Sequence, residues 1–368
     1  MRKTLGLAAL AAVLACGGAN AQQVSVKVGV LSDMSSLYSD IGGAGSVAAA
    51  KLAIADFTKD NPNVKVELIS GDHQNKPDIG SQIANQWYDV DKVDHDHRHA
   101  ELRRGAGGEP KSPTPRIRCS SCRGAAASDL TGAKCNANTI HWTYDTWMLA
   151  NGTGNALVKT GGDTWFFLTS DYAFGHALER DTMAAVEKAG GKVLGKVRHP
   201  INTNDSLIVP AAGAVVQGQG HRPRQCRRRH DQLDQAGSRI RHRQGRAEVR
   251  RLAGVCRATS TRSALQTAQG LTLTETWYWD TNDTNRDWTK RWQAERNATS
   301  KFPTMVQAGV YSGLTHYLKA RGGLEKRCLT ARRSWRKMKQ MPTDDPLFGK
   351  GTIRPGRPQA CIRLICSR

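Results

Sequence analysis

Strand-like and helix-like segments alternate along the parts of this chain that have an ordinary composition. Residues 24–31 (VSVKVGVL) alternate apolar and polar side chains, and residues 42–57 (GGAGSVAAAKLAIADF) form an alanine-rich helical pattern. A second strand pattern at residues 64–71 and a second helical pattern at residues 78–88 follow. Because helices that join parallel strands make right-handed crossovers, this β-α-β order predicts an α/β fold with a doubly wound parallel sheet.

The same alternation runs a second time, which predicts two lobes. The predicted elements after the first lobe are a helix from near Tyr144 to 160, a strand at 164–169, a helix at 173–189, a strand at 191–197, a strand at 271–279, and helices at 282–296 and 306–320. We expect residues 22–141 with 275–325 to form lobe 1, and residues 142–274 with 326–368 to form lobe 2. The chain then crosses the hinge more than once.

The first residues have the pattern of a cleavable export signal. Met1-Arg2-Lys3 is charged, residues 5–15 are apolar, and Ala19-Asn20-Ala21 supplies the small residues that precede a cut. We predict cleavage after Ala21, so residues 1–21 are a signal peptide and the protein is periplasmic. Cys16 is an alternative lipoprotein site, but the residues before it fit that site poorly.

The net charge of +22 suggests a nucleic-acid-binding protein, but the distribution of the arginines argues against one. Of 34 arginines, 28 lie in residues 98–123, 222–262 and 321–368, together with seven of the nine cysteines. These stretches show no helical or strand period, whereas a DNA-binding face interleaves basic and apolar residues at such a period. We therefore expect no nucleic-acid partner.

The arginine-rich stretches have the composition of a GC-rich gene translated out of frame. Reading residues 207–248 from the second base of each codon permits AKVIGLA, NAGGD and TINSIKQAAEFGI, a strand, a turn and an amphipathic helix. Residues 96–110, 111–123, 255–263 and 360–367 also give patterned α/β sequence when shifted. The hypothesis is that each of these segments begins and ends at an insertion or deletion in the gene, and that each pair compensates so that the reading frame is restored. Natural disordered insertions are the alternative, but the shifted segments replace expected elements almost one for one.

The in-frame segments resemble the periplasmic substrate-binding proteins of branched-chain amino-acid ABC transporters. The resemblance rests on residues 26–57 (VKVGVLSDMSSLYSDIGG…), 66–94 (VELISGDHQNKPD…), 127–157 (ASDLTG…), 164–195 (TWFFLTSDYAFGHALE…) and 341–354 (MPTDDPLFGKGTIR). It implies the type I periplasmic binding fold, with two lobes that close on a ligand. It further implies a branched-chain amino acid or a similar small carboxylate or amide as ligand, a permease in the inner membrane as partner, a monomer, no cofactor and no enzymatic activity.

The resemblance also assigns candidate ligand-binding residues. They are Ser35, Ser36 and Tyr38 after the first strand, Ala125, Ala127 and Ser128 in a carboxylate-binding loop, Trp142 and Tyr144 near the crossover, and Tyr172 and Phe174 in lobe 2. Ser128 stands in for a hydroxyl residue that family members carry near Ala127. Each has a structural alternative: Tyr38 as a solvated loop residue, Phe174 and Tyr144 as helix-start packing, and Trp142 as hinge packing. We predict no metal site at Asp72-His73.

About half of the family's site is missing from the chain as written. The serine pair after the third strand would lie where Glu101 to Arg103 stand, and the ammonium-binding acid would lie within residues 255–263. Runs such as Arg227-Arg228-Arg229 cannot enter a core without a large desolvation penalty. We therefore expect this chain to fold poorly and to bind weakly or not at all.

Three other functions remain open or are rejected on the sequence. Cys119 and Cys122 form a C-x-x-C, but no second such pair follows at zinc-finger spacing, and no nucleophile-elbow or phosphate-loop motif is present. A ligand-sensing receptor module of the same fold stays open, because sequence barely separates it from a transporter component. A non-functional product of a frame-shifted gene also stays open.

Overall fold

Two β-sheets organise the part of the chain that the computed structural model describes, residues 24–98, 120–122, 126–134, 139–200, 214–218, 247–251, 274–322, 331–355 and 362–366. The strands are β1 (Val24–Ser32), β2 (Val64–Asp72), β3 (His95–Arg98), β4 (Ser120–Cys122), β5 (Thr139–His141), β6 (Thr164–Ser170), β7 (Lys192–His199), β8 (Ala214–Gly218), β9 (Ala247–Arg251), β10 (Thr343–Asp345), β11 (Gly349–Pro355) and β12 (Ile362–Cys366). The helices are α1 (Gly43–Asp60), α2 (Pro77–Asp89), α3 (Thr146–Leu149), α4 (Asn155–Lys159), α5 (Ala173–Lys188), α6 (Asp283–Arg296), α7 (Met305–Gly322) and α8 (Ala331–Gln340).

The first lobe contains the sheet of order β10-β11-β12-β5-β4-β3-β1-β2. Among the described strands, five neighbouring pairs are parallel: β2 with β1, β1 with β3, β3 with β4, β4 with β5, and β5 with β12. The pairs β12 with β11 and β11 with β10 are antiparallel and form one edge of the sheet. Parallel strands end at the same edge of a sheet, so the loops after β1, β2 and β5 lie along one edge, with β3 and β4 between β1 and β5.

Helices cover both faces of the first sheet, because successive side chains of a strand point to opposite faces. Val26, Val28 and Val30 of β1 are buried in one core with residues of α1, α6 and α7. Leu31 belongs to a second cluster with Trp87 of α2 on the other face. The ring of Trp87 lies so close to Gly29 that an added Cβ there would be 2.3 Å from Cζ3.

The second lobe is built on the sheet of order β7-β6-β8-β9. β6 and β7 are parallel, whereas β8 pairs antiparallel with both β6 and β9, so among these described strands the expected all-parallel sheet is found only in part. Trp165 and Phe167 of β6 pack against Leu149, Leu157 and Leu178, which come from α3, α4 and α5. A π-helical turn at Ala150–Gly154 joins α3 to α4.

The structure corrects two expectations for the later part of the chain. Residues 326–368 were expected in lobe 2, but β10, β11 and β12 lie in the first sheet, and Trp335 and Met338 of α8 lie in its core. The predicted strand at 271–279 is also wrong for residues 274–279, which are irregular. Trp277 there is buried in the first core, so apolar residues anchor a connection instead of forming a strand.

The remaining element predictions within the described residues are confirmed. Observed strands and helices match the patterns at 24–31, 42–57, 64–71, 78–88, 164–169, 173–189, 191–197, 282–296 and 306–320 to within three residues at most ends. The helix predicted from Tyr144 to 160 begins at Thr146 and is interrupted by the π-helical turn.

Some strands carry sequences that suit their place in a sheet poorly. β3 reads HDHR although it lies between β1 and β4, and parallel strands covered on both faces are ordinarily apolar runs. His95 at its start is buried and stacks on Tyr317, with ring centroids 4.2 Å apart. This mismatch agrees with the hypothesis of a shifted frame near residue 96.

Candidate functional site

Two tyrosines from different lobes meet at the carboxyl ends of the strands. Tyr38 follows β1 in the first lobe, and Tyr172 follows β6 in the second lobe. Their phenol oxygens are 2.7 Å apart, a hydrogen bond in which either can donate. Burial raises the pKa of Tyr38, and the nearby Asp33 charge also raises it, so the phenol is protonated at neutral pH. We call this contact the tyrosine bridge, and the space around it the inter-lobe cleft.

The loop that carries Tyr38 is held by a buried carboxylate. Asp33, only 1% exposed, accepts hydrogen bonds from the backbone N–H groups of Ser36 and Tyr38, each 2.8 Å long. It also accepts the Ser36 hydroxyl at 2.6 Å. Hydrogen bonds to an ionised acceptor are among the stronger ones in proteins, so Asp33 fixes where Tyr38 enters the cleft.

A second carboxylate supports the same loop from β2. Asp72 accepts the Ser35 hydroxyl at 2.5 Å and the backbone N–H groups of Met34 and Gln74 at 2.9 and 2.8 Å. Burial raises the pKa of Asp72, but these hydrogen bonds outweigh burial and leave the pKa lowered. The hydroxyl hydrogens of Ser35 and Ser36 are therefore donated to Asp72 and Asp33, and only their oxygens can still accept.

His73, beside Asp72, has a structural role in this conformation. It is 1% exposed, and its Nδ1 accepts the backbone N–H of Asn75 at 3.0 Å. Burial lowers the pKa of His73, which keeps the ring neutral. Within the described residues no group of three or more His, Cys, Asp or Glu side chains has the arrangement of a metal site.

In the second lobe, Tyr172 and Phe174 stand at the start of α5. Tyr172 is the residue before the helix, and its ring centroid is 6.0 Å from that of Phe174. Phe174 is 8% exposed and belongs to the second core. Gly175 allows the helix to start this close to β6, because an added Cβ would be 2.1 Å from the Ser170 carbonyl oxygen. Tyr172 thus reaches the cleft while Phe174 packs mainly beneath it.

The loop at residues 126–131 lies on the second lobe. Ala126 and Ala127 are buried, and Ser128 begins a short 3-10 turn, Ser128–Thr131. The Ser128 hydroxyl donates to Asp181 Oδ2 at 2.6 Å. Its single hydrogen is therefore not available to a ligand carboxylate in this conformation. Ala125 lies outside the described residues.

The crossover residues Trp142 and Tyr144 differ in position. Trp142 is 1% exposed, and its indole N–H donates to Ser312 of α7 at 2.9 Å, so it packs in the first lobe and does not line the cleft. Tyr144 is partly buried and contacts both the first and the second core. Its carbonyl oxygen lies 2.6 Å from His141 Nε2. Tyr144 therefore sits where the chain passes between the lobes.

Sequence reasoning missed the carboxylates that hold the cleft loops. Asp33, Asp72 and Asp181 each bind hydroxyl or backbone hydrogens of the candidate residues. Their positions in the sequence could have indicated Asp33 and Asp72, because Asp33 directly follows β1 and Asp72 is the last residue of β2, and the ends of these strands form the cleft. Asp181 lies inside α5, and no local pattern connects it to Ser128.

Glu275 lies in the irregular segment that returns to the first lobe. The neighbouring Thr274 packs on Gly152, and its hydroxyl is 2.8 Å from that of Thr153 in the π-helical turn. On the other side of Glu275, Trp277 is buried in the first core. Burial raises the pKa of Glu275 to about 7.

We expect Glu275→Gln to stabilise the chain at pH 8 but not at pH 4.5. The folded-state pKa of Glu275 lies above its unfolded value, so the folded form binds the proton more tightly. Its contribution is favourable at low pH and is lost as pH rises from the unfolded value toward about 7. Urea unfolding at both pH values measures this, with an expected gain of roughly 1–3 kcal/mol at pH 8.

The exposed Glu187 near the end of α5 supplies the control for loss of one negative charge. Glu187→Gln should change the free energy of unfolding by less than about 0.5 kcal/mol. An equal gain for Glu275→Gln at both pH values would show that desolvation of the carboxylate is not the cause.

Two α/β lobes that meet through aromatic side chains at their strand ends define a two-lobed solute-binding protein. The chain belongs to the periplasmic binding protein family, whose model matches residues 25–212 and 246–365. The unmatched residues 213–245 overlap the arginine-rich stretch 222–262. In the described residues, no helix combines the length and apolar character needed to cross a membrane.

Solved structures agree with this family. A periplasmic binding protein from Burkholderia mallei is 29% identical over 92% of this chain and 88% of its own, with a TM-score of 0.66. A branched-chain amino acid ABC transporter periplasmic ligand-binding protein from Burkholderia xenovorans is 26% identical over 93% of this chain and 88% of its own, also at 0.66. A Rhodopseudomonas palustris solute-binding protein in complex with 3,4-dihydroxybenzoic acid shares the fold, with 16% identity over 92% and 90% and a TM-score of 0.64. No curated protein sequence matches the chain.

Proposed function

We propose that this chain is the extracytoplasmic solute-binding component of an ABC importer and that its ligand occupies the inter-lobe cleft beside the tyrosine bridge. The observation that carries the proposal is the 2.7 Å contact between Tyr38 and Tyr172, which brings the strand ends of two lobes to one point. Ligands of open α/β sheets bind at that edge. Cleavage after Ala21 would release the mature protein to the periplasm. Intact-mass measurement of the purified protein should then give the mass of a chain whose first residue is Gln22.

The proposed ligand is a small carboxylate with an apolar body. The rings of Tyr38 and Tyr172 offer an aromatic wall, and ligand sites of this size combine apolar walls with a few polar groups. Ser35, Ser36 and Ser128 donate their hydrogens to aspartates, so the donors proposed for the ligand carboxylate are phenol and backbone groups. One similar structure is a branched-chain amino acid ABC transporter ligand-binding protein, and others are complexes with 3,4-dihydroxybenzoic acid or 4-hydroxybenzoate, which supports comparing these two ligand classes.

The proposed partner is a permease in the inner membrane that accepts the loaded, closed protein. Closure of two lobes around a ligand changes the surface that a partner meets, which is how such a protein signals its loaded state. We propose that the protein acts as a monomer and has no enzymatic role.

Calorimetry with L-leucine, benzoate and 4-hydroxybenzoate tests this function, using a chain in which the shifted segments are restored. We expect one compound to bind with one-to-one stoichiometry and to raise the midpoint of thermal unfolding. D-glucose, which lacks a carboxylate, is the matched negative compound. If none of the three carboxylates binds the restored chain, the ligand class is wrong.

A further inference from the structure

The loop at residues 126–134 is attached to both lobes. It connects β4 to β5, and both strands belong to the first sheet. Ala126, however, is fully buried in the second core, and its carbonyl oxygen accepts the Thr146 N–H at 2.8 Å. The loop therefore leaves one lobe, packs on the other and returns.

Asp181 of α5 is the centre of the polar contacts that hold this loop. Its Oδ2 accepts the hydroxyls of Ser128 at 2.6 Å and Thr146 at 2.5 Å. The Thr146 hydroxyl oxygen in turn accepts the Ser128 backbone N–H at 2.9 Å. The Asp181 side chain is 9% exposed and Thr146 is fully buried, so little water competes for these bonds.

Arg180 completes the cluster from the solvent side. It donates to the Ser128 hydroxyl oxygen at 2.8 Å and forms ion pairs with Asp129 at 3.0 Å and Asp181 at 2.9 Å. The Arg180 side chain is 52% exposed, and exposed ion pairs contribute little. Among the side-chain hydrogen bonds and ion pairs that hold the loop, those of Asp181 are therefore expected to contribute most.

We propose that Asp181 is a positioning residue that fixes the 126–131 loop to the second lobe, so that the loop moves with that lobe when the cleft opens and closes. The proposal rests on the proposed function, because the loop includes Ala127 and Ser128 of the candidate site. Asp181 itself does not touch the ligand. Its Oδ2 accepts the hydroxyl hydrogen of Ser128, which is then not available to a ligand.

Hydrogen–deuterium exchange on the ligand-free full-length chain tests the attachment. The amides of Leu130, Gly132 and Lys134 donate to carbonyl oxygens within the loop, so their exchange rates report whether it stays folded. Asp181→Ala should speed their exchange at least tenfold, while the amides of β6 and β7 change by less than threefold. Asp181→Asn retains an acceptor oxygen and should lie between Asp181→Ala and wild type.

Asp171→Asn is the matched control, because Asp171 is an exposed aspartate of the same lobe that pairs with His176. It should leave loop exchange unchanged. The inference is overturned if Asp181→Ala leaves loop exchange within threefold of wild type, if exchange rises equally in β6 and β7, or if the wild-type loop is already unprotected.

A binding measurement then connects the loop to the cleft. In calorimetry with L-leucine on the chain in which the shifted segments are restored, Asp181→Ala should weaken affinity at least fivefold, and Asp171→Asn less than twofold. Failure of the restored chain to bind any tested carboxylate would count against the proposed function and leave the exchange result intact. Unchanged affinity despite a loosened loop would overturn the loop's role in binding.

Discussion

Restoring the reading frame across residues 207–248 and 96–123 is expected to raise the free energy of unfolding by on the order of 5 kcal/mol, toward the usual range for a folded domain. β3 reads HDHR between β1 and β4, where a parallel sheet ordinarily has apolar residues, and β9 ends in Arg250 and Arg251. A charged side chain that is buried without a partner loses its hydration at a large cost in free energy, so such sequences suit a packed sheet poorly. Urea unfolding followed by circular dichroism should show a higher midpoint and a steeper transition for the restored chain.

The same comparison should separate the two chains in ligand binding. We expect the restored chain to bind one of the tested carboxylates, and the chain as written to bind at least a hundredfold more weakly. A chain restored only at residues 360–367 is the matched control, since that segment contains β12 alone and no candidate ligand residue. Equal midpoints and equal affinities for all three chains, or a gene without compensating insertions and deletions, would refute the shifted-frame hypothesis.

Tyr172→Ala in the restored chain is expected to weaken ligand binding by about tenfold to a hundredfold, because it removes one aromatic wall of the cleft and the partner of Tyr38. Tyr172→Phe keeps the ring and loses only the hydrogen bond, so its loss should be about two- to tenfold. Calorimetry measures both. Their unfolding midpoints should stay close to the parent value, because Tyr172 precedes α5 and is only partly buried.

Trp142→Phe is expected to lower the stability of the protein and to leave its ligand affinity almost unchanged, the opposite of Tyr172→Ala. Trp142 packs in the first core and donates to Ser312, so its replacement should cost roughly 1–3 kcal/mol of stability while affinity changes less than twofold. Weaker binding by Trp142→Phe than by Tyr172→Ala would reverse this assignment of the cleft.

The fold of the chain was predictable where local periodicity survives. β1, α1, β2 and α5 each follow from apolar spacing, because one face of each element is buried. The return of β10 to β12 to the first sheet was not predictable, since pairing between distant strands leaves no mark in either strand. The sequence of residues 274–279 has the apolar content of a strand, although the segment is irregular, because residues such as Trp277 are buried in the first core.

For the candidate site, sequence indicated the loops but not the contacts within them. Tyr38 and Tyr172 were both named from the resemblance, yet their hydrogen bond joins residues 134 positions apart and depends on how the lobes meet. The hydroxyl of Ser128 was expected to face a ligand and instead donates to Asp181, because a buried carboxylate one helix away competes for its single hydrogen.

The placement of β10 to β12 has a consequence for how the protein matures. The described strands of the second lobe lie between β5 and β12 in the sequence, so β12 can pair with β5 only after the chain has passed through those strands. The described strands of the second lobe come earlier in the chain than β12 and can pair before it. Until β12 pairs, β5 has an unpaired edge, and an unpaired strand edge can associate with another chain.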